Sequence, residues 1–281
     1  MSKNNLVWKI IDQVLEEVYW TYQAIGDKLA RIHYRPEPGK RALLVSQDDF
    51  RTHDVVLMNA LLRRCGYERK IIRHRECTEK TIVESIDQLA RESDADSQTV
   101  FFYAGHGHDA GTYYSKGVCV NGNPTNIYEK RMTPFAILQL LGKIKGKKAV
   151  IIDSCYSGEF VDEVKDKAVR SVFPDMINDY VVLAACPADN ATVRSEGYAK
   201  GWDIGPLTAA LYYLIGSSKG PVNLAKAEIP WRNSESYIMS RYSNEAIGDI
   251  EKSVGASISF EMQRASDTDF FLQFDYFKTH S

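Results

Sequence analysis

At 281 residues, with 44% hydrophobic and 26% charged side chains, the chain has the make-up of a globular protein long enough to bury a substantial core. Its net charge of −2, from 35 basic and 37 acidic residues, lacks the basic surplus that a nucleic-acid partner would call for. No apolar run approaches the ~18 residues of a membrane span, the first residues lack a leader-peptide pattern, and the five cysteines show no paired CxxC spacing, so a reduced, cytoplasmic setting without disulfide scaffold or zinc knuckle is expected.

Residues 5–33 place apolar side chains at Leu6, Ile10, Val14, Val18, Tyr22, Ile25, Leu29 and Ile32, with a second row at Val7, Ile11, Leu15 and Tyr19. That spacing predicts a helix with one broad apolar face, interrupted near Gly26-Asp27. The face either packs back on its own domain or serves docking or self-association. Arg35-Pro-Glu-Pro-Gly39 reads as a linker, which divides an N-terminal helical extension (1–38) from a main domain (39–281).

Residues 42–45 form a short apolar strand, 54–64 a helix closed by Cys65-Gly66, and 67–73 a strand. Residues 78–90 follow as a helix with Thr78 at its N-cap, then a strand to Tyr103. The Gly-, Tyr- and Asn-rich stretch 105–126 is a loop with a hairpin around 118–122. Thr133-Pro134 opens a helix to about residue 144, and a strand runs to Ile152. A buried-type strand at 180–185, helices at 206–215 and 233–253, and a late strand at 270–274 complete the order. Alternating strands and helices predict parallel crossovers with helices on both faces, a doubly wound α/β domain.

Two of these strands end in reactive residues. Thr99-Val-Phe-Phe-Tyr-Ala-Gly-His-Gly-His108 and Lys147-Lys-Ala-Val-Ile-Ile-Asp-Ser-Cys-Tyr-Ser-Gly158 are apolar runs that stop abruptly. If the strands pair in parallel, His106 and Cys155 emerge at the edge where open α/β sheets place their ligands. A thiol attacks only as thiolate, and an imidazole can serve as its base. The peptide N–H groups of Gly107 and Cys155 share that rim and suit a tetrahedral oxyanion. His108 gives an HxH spacing, but no third metal ligand is evident in the sequence. Ser46-Gln-Asp-Asp49 is no phosphate-binding glycine loop, which argues against a nucleotide enzyme on the same kind of sheet.

Tyr103-Ala-Gly-His-Gly107 and Asp153-Ser-Cys-Tyr-Ser-Gly158 resemble the two catalytic motifs of caspase-like cysteine proteases. They are most similar to the metacaspase and bacterial orthocaspase side, where DSCxSG replaces the animal QACxG. The resemblance runs from about residue 41 to 272. It takes in Gly205-Pro-Leu-Thr-Ala-Ala-Leu211, with Pro-Leu where the family has an aromatic, and leaves 1–38 uncovered. It implies a caspase-like three-layer sandwich with a mostly parallel central sheet. It also implies His106 as general base, Cys155 as nucleophile, a protein or peptide substrate, and a regulated pathway of stress or defence.

Acidic residues in such relatives line the P1 pocket and select Arg or Lys. Here Asp153 stands at the motif position, Asp48 and Asp49 follow the first strand, and Asp189 follows the strand at 180–185. Converging carboxylates favour a cation, above all a bidentate arginine. Arg51 leaves an Asp-specific pocket as the minority reading. Self-cleavage within 159–175, at Lys165, Lys167 or Arg170, competes with a plain exposed helix there. Calcium dependence is a family possibility for which the acidic residues show no EF-hand spacing, so no cofactor is expected. The leading function is therefore a cysteine endopeptidase. The rivals are a zymogen that needs a partner and a regulatory module acting through the N-terminal helix.

Overall fold

Six strands cross the centre of the structure, a computed structural model that describes residues 36–47, 52–109, 116–120, 130–174, 176–190, 195–196, 203–218, 220–226 and 263–272. Apart from Pro36, these residues belong to one compact unit, Glu37–Phe274. The helices expected at 5–33 and 233–253, with Asp48, Asp49 and Arg51, lie outside the described residues.

The described elements in chain order are β1 Lys40–Ser46, α1 Thr52–Arg64, β2 Glu68–Arg73, α2 Glu79–Glu92, β3 Gln98–Ala104, β4 Gly107–His108, β5 Gly117–Cys119, β6 Arg131–Met132, α3 Pro134–Gly142, β7 Lys147–Asp153, α4 Glu159–Lys165, α5 Lys167–Val172, β8 Tyr180–Ala184, β9 Ser195–Glu196, β10 Asp203–Ile204, α6 Pro206–Ser217, β11 Val222–Asn223, β12 Gln263–Ser266 and β13 Phe271–Leu272. The main sheet has the order β12-β8-β7-β3-β1-β2. Its strands are parallel except for β12, which runs antiparallel to β8.

Alternation along each strand explains the layers, because successive side chains point to opposite faces. Leu43, Val45, Phe101, Tyr103, Val150, Ile152 and Val182 join one core with Ile82, Ile86 and Leu89 of α2, Ile137, Leu138 and Leu141 of α3, and Phe160 and Val164 of α4. The intervening residues Ala42, Leu44, Val100, Phe102, Ala149, Ile151, Val181 and Leu183 are also buried. On that second face α1 packs on β1 and on α6, and α6 packs on β7. Burial on both sides is why these strands read as unbroken apolar runs. The result is the expected three-layer, doubly wound α/β arrangement. Among the described residues no helix is long and apolar enough to cross a membrane.

Local signals set several helix ends. Thr78 Oγ1 accepts the Thr81 N–H at 3.2 Å and starts α2. Thr133 Oγ1 accepts the Ala136 N–H at 3.2 Å, with Pro134 in the first turn of α3. That helix ends at Gly142, short of the expected residue 144, because its last turn tightens: Lys143 N bonds Leu140 O at 3.1 Å and Ile144 N bonds Leu141 O at 3.0 Å. Where a hairpin was expected around 118–122, β5 pairs with both β4 and β6 in a three-stranded antiparallel sheet, and residues 121 and 122 lie outside the described residues. Residues 159–175 contain α4 and α5, with Lys165 and Lys167 exposed.

Candidate active site

Strands β1, β3 and β7 stop level with one another. Ser46 pairs with Ala104, and Ala104 pairs with Asp153. The chain then continues the pairing for one more step, as Gln47 N donates to Ala104 O at 3.0 Å and Gly105 N to Asp153 O at 3.4 Å. This rim is the carboxyl end of the sheet, beside the place where the winding reverses between β1 and β3.

His106 is held there by its backbone. Its N–H donates to Oε1 of Gln47 at 3.3 Å, and its carbonyl accepts the Cys119 N–H at 2.9 Å. The hydroxyl of Tyr103 lies 3.0 Å from the same carbonyl and 2.8 Å from that of Cys119, so its single proton ties both into the turn. Tyr103 and Gln47 are buried, and leaving such polar atoms unpaired would be costly, which fixes the turn's conformation. The imidazole itself is half-buried.

Cys155 leaves β7 two residues after Asp153. It is half-buried, whereas the other four cysteines are buried. The next residue, Tyr156, has φ 56°, a left-handed conformation that an aromatic residue adopts only when its surroundings hold it there. Its N–H donates to Asn190 O at 2.9 Å. Ser157 Oγ accepts the N–H groups of Ala185 at 2.9 Å and Cys186 at 3.3 Å, anchoring the far side of the turn to the end of β8.

The two reactive turns touch at Gly107. A Cβ there would stand 2.7 Å from the carbonyl carbon of Cys155 and 3.3 Å from its Cα, and would collide with the carbonyl oxygen. Only a residue without a side chain allows this approach. The rim thus brings together the strand ends that bear His106, Gly107, Asp153 and Cys155.

Asp153 is fully buried. Its Oδ2 accepts both the N–H and the hydroxyl of Thr208, at 2.8 and 2.7 Å. Beside it, Oδ1 of buried Asp54 accepts the Gly205 N–H at 2.6 Å. Gly205 is the N-cap of α6 and has no side chain to cap with, so the two carboxylates serve the helix start from across the fold. A Cβ at Gly205 would fall against the Asp153 carboxylate, which puts both acids within a few ångströms of one glycine. Asp54 is the acid that sequence reasoning missed. Its sign was an aspartate in the first turn of a helix otherwise facing the core, a position easily taken for an ordinary cap.

Asp189 lies elsewhere, exposed on the loop after β8. Neighbouring Lys116 donates to Ala188 O at 3.0 Å and pairs with Glu159 at 2.7 Å. Burial pulls the Lys116 pKa down. The hydrogen bond and charge of Glu159, with Asp109 and Asp189 adding, outweigh this and lift it above the usual lysine value. The charge of Asp189 is therefore partly met by a lysine of the chain itself. For His108, burial and then the Arg131 cation push the pKa below the usual histidine value, against Asp109. Among the described residues no three His, Cys, Asp or Glu side chains gather to hold a metal.

Residues 40–217 match a family model described as the caspase domain. Among solved structures, a protein from Geobacter sulfurreducens is similar over 83% of this chain and 94% of its own, at 14% identity and a TM-score of 0.45. The structure of drICE is similar over 86% of this chain and 94% of its own, at 12% identity and a TM-score of 0.41. The Drosophila initiator caspase Dronc is similar over 88% and 86%, at 11% identity and 0.39. No curated protein gives a significant sequence match.

Proposed function

Because the chain belongs to the caspase-domain family, we propose that it is a cysteine endopeptidase with Cys155 as nucleophile and His106 as general base, cutting after arginine or lysine. One observation carries this reading. The parallel register of β3 and β7, with Gly107 against the Cys155 peptide, puts both motifs on one rim.

In the proposed reaction His106 takes the Cys155 proton and the thiolate attacks the scissile carbonyl carbon. The oxyanion that forms is met by the peptide N–H groups of Gly107 and Cys155. Collapse expels the amine, which receives the proton from His106 and leaves an acyl-enzyme. Water, deprotonated by the same imidazole, then releases the acid. Thiol, imidazole, peptide donors and water complete the sequence without a metal or cofactor.

The preference for a cation rests on Asp153 with Asp54. Two buried carboxylates under the rim create a negative potential that low-dielectric surroundings screen poorly. The α6 N-terminus offsets part of it, and a substrate guanidinium would offset the rest.

Hydrolysis of fluorogenic peptides ending in Arg, Lys, Asp or Ala tests both parts. Arg and Lys peptides should be cleaved, and Cys155→Ala or His106→Ala should each lower kcat by a factor on the order of 10³ or more. Asp153→Asn keeps an acceptor for Thr208 and should cut the Arg-over-Ala preference at least about tenfold, roughly 1.4 kcal/mol. Undiminished turnover in Cys155→Ala removes the assignment, and cleavage of the Asp peptide alone reverses the specificity.

A further inference from the structure

The thiol of Cys186 has no part in the reaction above, yet it is built into the turn that carries Cys155. Its Sγ lies 3.5 Å from the Ser154 carbonyl oxygen, 3.2 Å from that of Asn190 and 3.7 Å from Ser157 Oγ. The Asn190 carbonyl also accepts the Tyr156 N–H at 2.9 Å, so the sulfur and the turn share an acceptor. Residues 154, 156 and 157 are thus each tied to the Cys186 sulfur or to that acceptor, and Cys155 is the residue they enclose. The Ser154 carbonyl belongs to the peptide leading into Cys155. Standard peptide dimensions then put the Cys155 Cα within roughly 6 Å of the Cys186 sulfur. A disulfide brings its two sulfurs to about 2 Å, so the Cys155 side chain and its turn must move inward to close the remaining gap.

The chemistry of the two thiols differs in a useful way. Burial pushes the Cys186 pKa up to about 12, and the nearby charge of Cys155 adds to this while hydrogen bonds from Ser157 oppose it. Cys186 therefore stays protonated and inert toward outside oxidants, whereas half-buried Cys155 is open to them.

We propose that Cys186 is a resolving thiol, and that Cys155 and Cys186 form a reversible disulfide after attack by a hydroperoxide. The proposal rests on the reading of Cys155 as the reactive thiol. In the first step the Cys155 thiolate attacks one peroxide oxygen. A sulfur–oxygen bond forms, the oxygen–oxygen bond breaks, and the leaving oxyanion takes a proton and departs as water or an alcohol. Sulfur is oxidised by two electrons and the peroxide reduced by two, giving the sulfenic acid. In the second step Cys186 yields its proton to the departing hydroxide and attacks the sulfenic sulfur as thiolate. The sulfur–sulfur bond forms, and hydroxide leaves with the Cys186 proton as water. A dithiol reductant restores both thiols. The disulfide takes the nucleophile out of use and keeps it from irreversible oxidation.

The test treats the full chain with dilute hydrogen peroxide, blocks remaining thiols by alkylation under denaturing conditions, and maps the peptides by mass spectrometry. The expected result is a linked pair of peptides containing Cys155 and Cys186, lighter by two hydrogens and released by dithiothreitol. In Cys186→Ala and Cys186→Ser, Cys155 should instead gain two or three oxygens that dithiothreitol does not remove. Wild-type Cys155 that is over-oxidised as fast as in these variants, that links to another cysteine, or that is left unmodified overturns the proposal. Should neither variant fold, the wild-type peptide map decides alone. The mass readout needs no turnover. A linked pair in a protein that cleaves nothing sinks the protease reading alone, and active protein without the link sinks this one alone.

Discussion

Alanine at position 107 would place its methyl carbon 2.7 Å from the Cys155 carbonyl carbon and 3.3 Å from its Cα. Carbon atoms approach comfortably to about 3.5–4.0 Å, and the Cys155 carbonyl oxygen lies closer still, so the β4 turn and the Cys155 turn must part by at least about 1 Å. The obstacle is backbone, which cannot swing aside as a side chain would. Overpacking of this kind costs about 1–3 kcal/mol. For a domain of this size that lowers Tm by about 2–4 °C per kcal/mol. The same displacement separates the His106 and Cys155 turns, and misplacing reacting groups by about 1 Å costs on the order of 10²-fold in rate. Gly107→Ala should therefore remain folded while kcat/KM on an Arg-terminated peptide falls about a hundredfold. The rate of Cys155 alkylation and a thermal melt, measured together, separate the two effects. Wild-type turnover and melting in Gly107→Ala would refute the close approach and, with it, the shared rim.

Thr208→Val removes the hydroxyl that donates to Asp153 at 2.7 Å and keeps the shape, so urea unfolding should show a loss of about 1.5–3 kcal/mol, the worth of a bond to a charged group. Cys186 contributes a pH dependence of defined sign. Its pKa is raised on folding, so its stabilisation is complete below the usual thiol pKa of about 8.5 and is lost as pH rises from there toward about 12. Urea midpoints of wild type should fall more steeply above pH 8.5 than those of Cys186→Ala, and parallel slopes would contradict the buried, protonated thiol. Thr78→Ala should cost about 1 kcal/mol in the same assay through loss of the α2 cap, with peptide hydrolysis unchanged.

Asp153 shows how far sequence reasoning reached. Its motif position suggested a carboxylate reading the substrate, and the structure has it clasping Thr208, 55 residues away, at the start of α6. The helix lacks a capping side chain at Gly205, so the need for such an acid was visible in the sequence, but not which acid would meet it. Asp54 meets it as well, across 151 residues, for the same reason. Edge strand β12 was missed because Gln263-Arg-Ala-Ser266 has no apolar alternation, and its ladder is supplied by β8. The cap at Thr78 and the helix start at Thr133-Pro134 were read correctly, since a cap bonds three residues ahead and needs no distant partner.

The alternation of β1, β2, β3, β7 and β8 with their helices, the buried-on-both-faces character of β3 and β7, and the reactive residues at their ends were determined by the sequence, because apolar runs and breakpoints are properties of adjacent residues. Tertiary structure alone decided that Gly107 lies against Cys155, that Asp54 joins Asp153, and that the Cys186 thiol sits beneath the nucleophile's turn. Each of these depends on which strand ends finish level, a matter of sheet register and winding that brings together residues tens to more than a hundred positions apart.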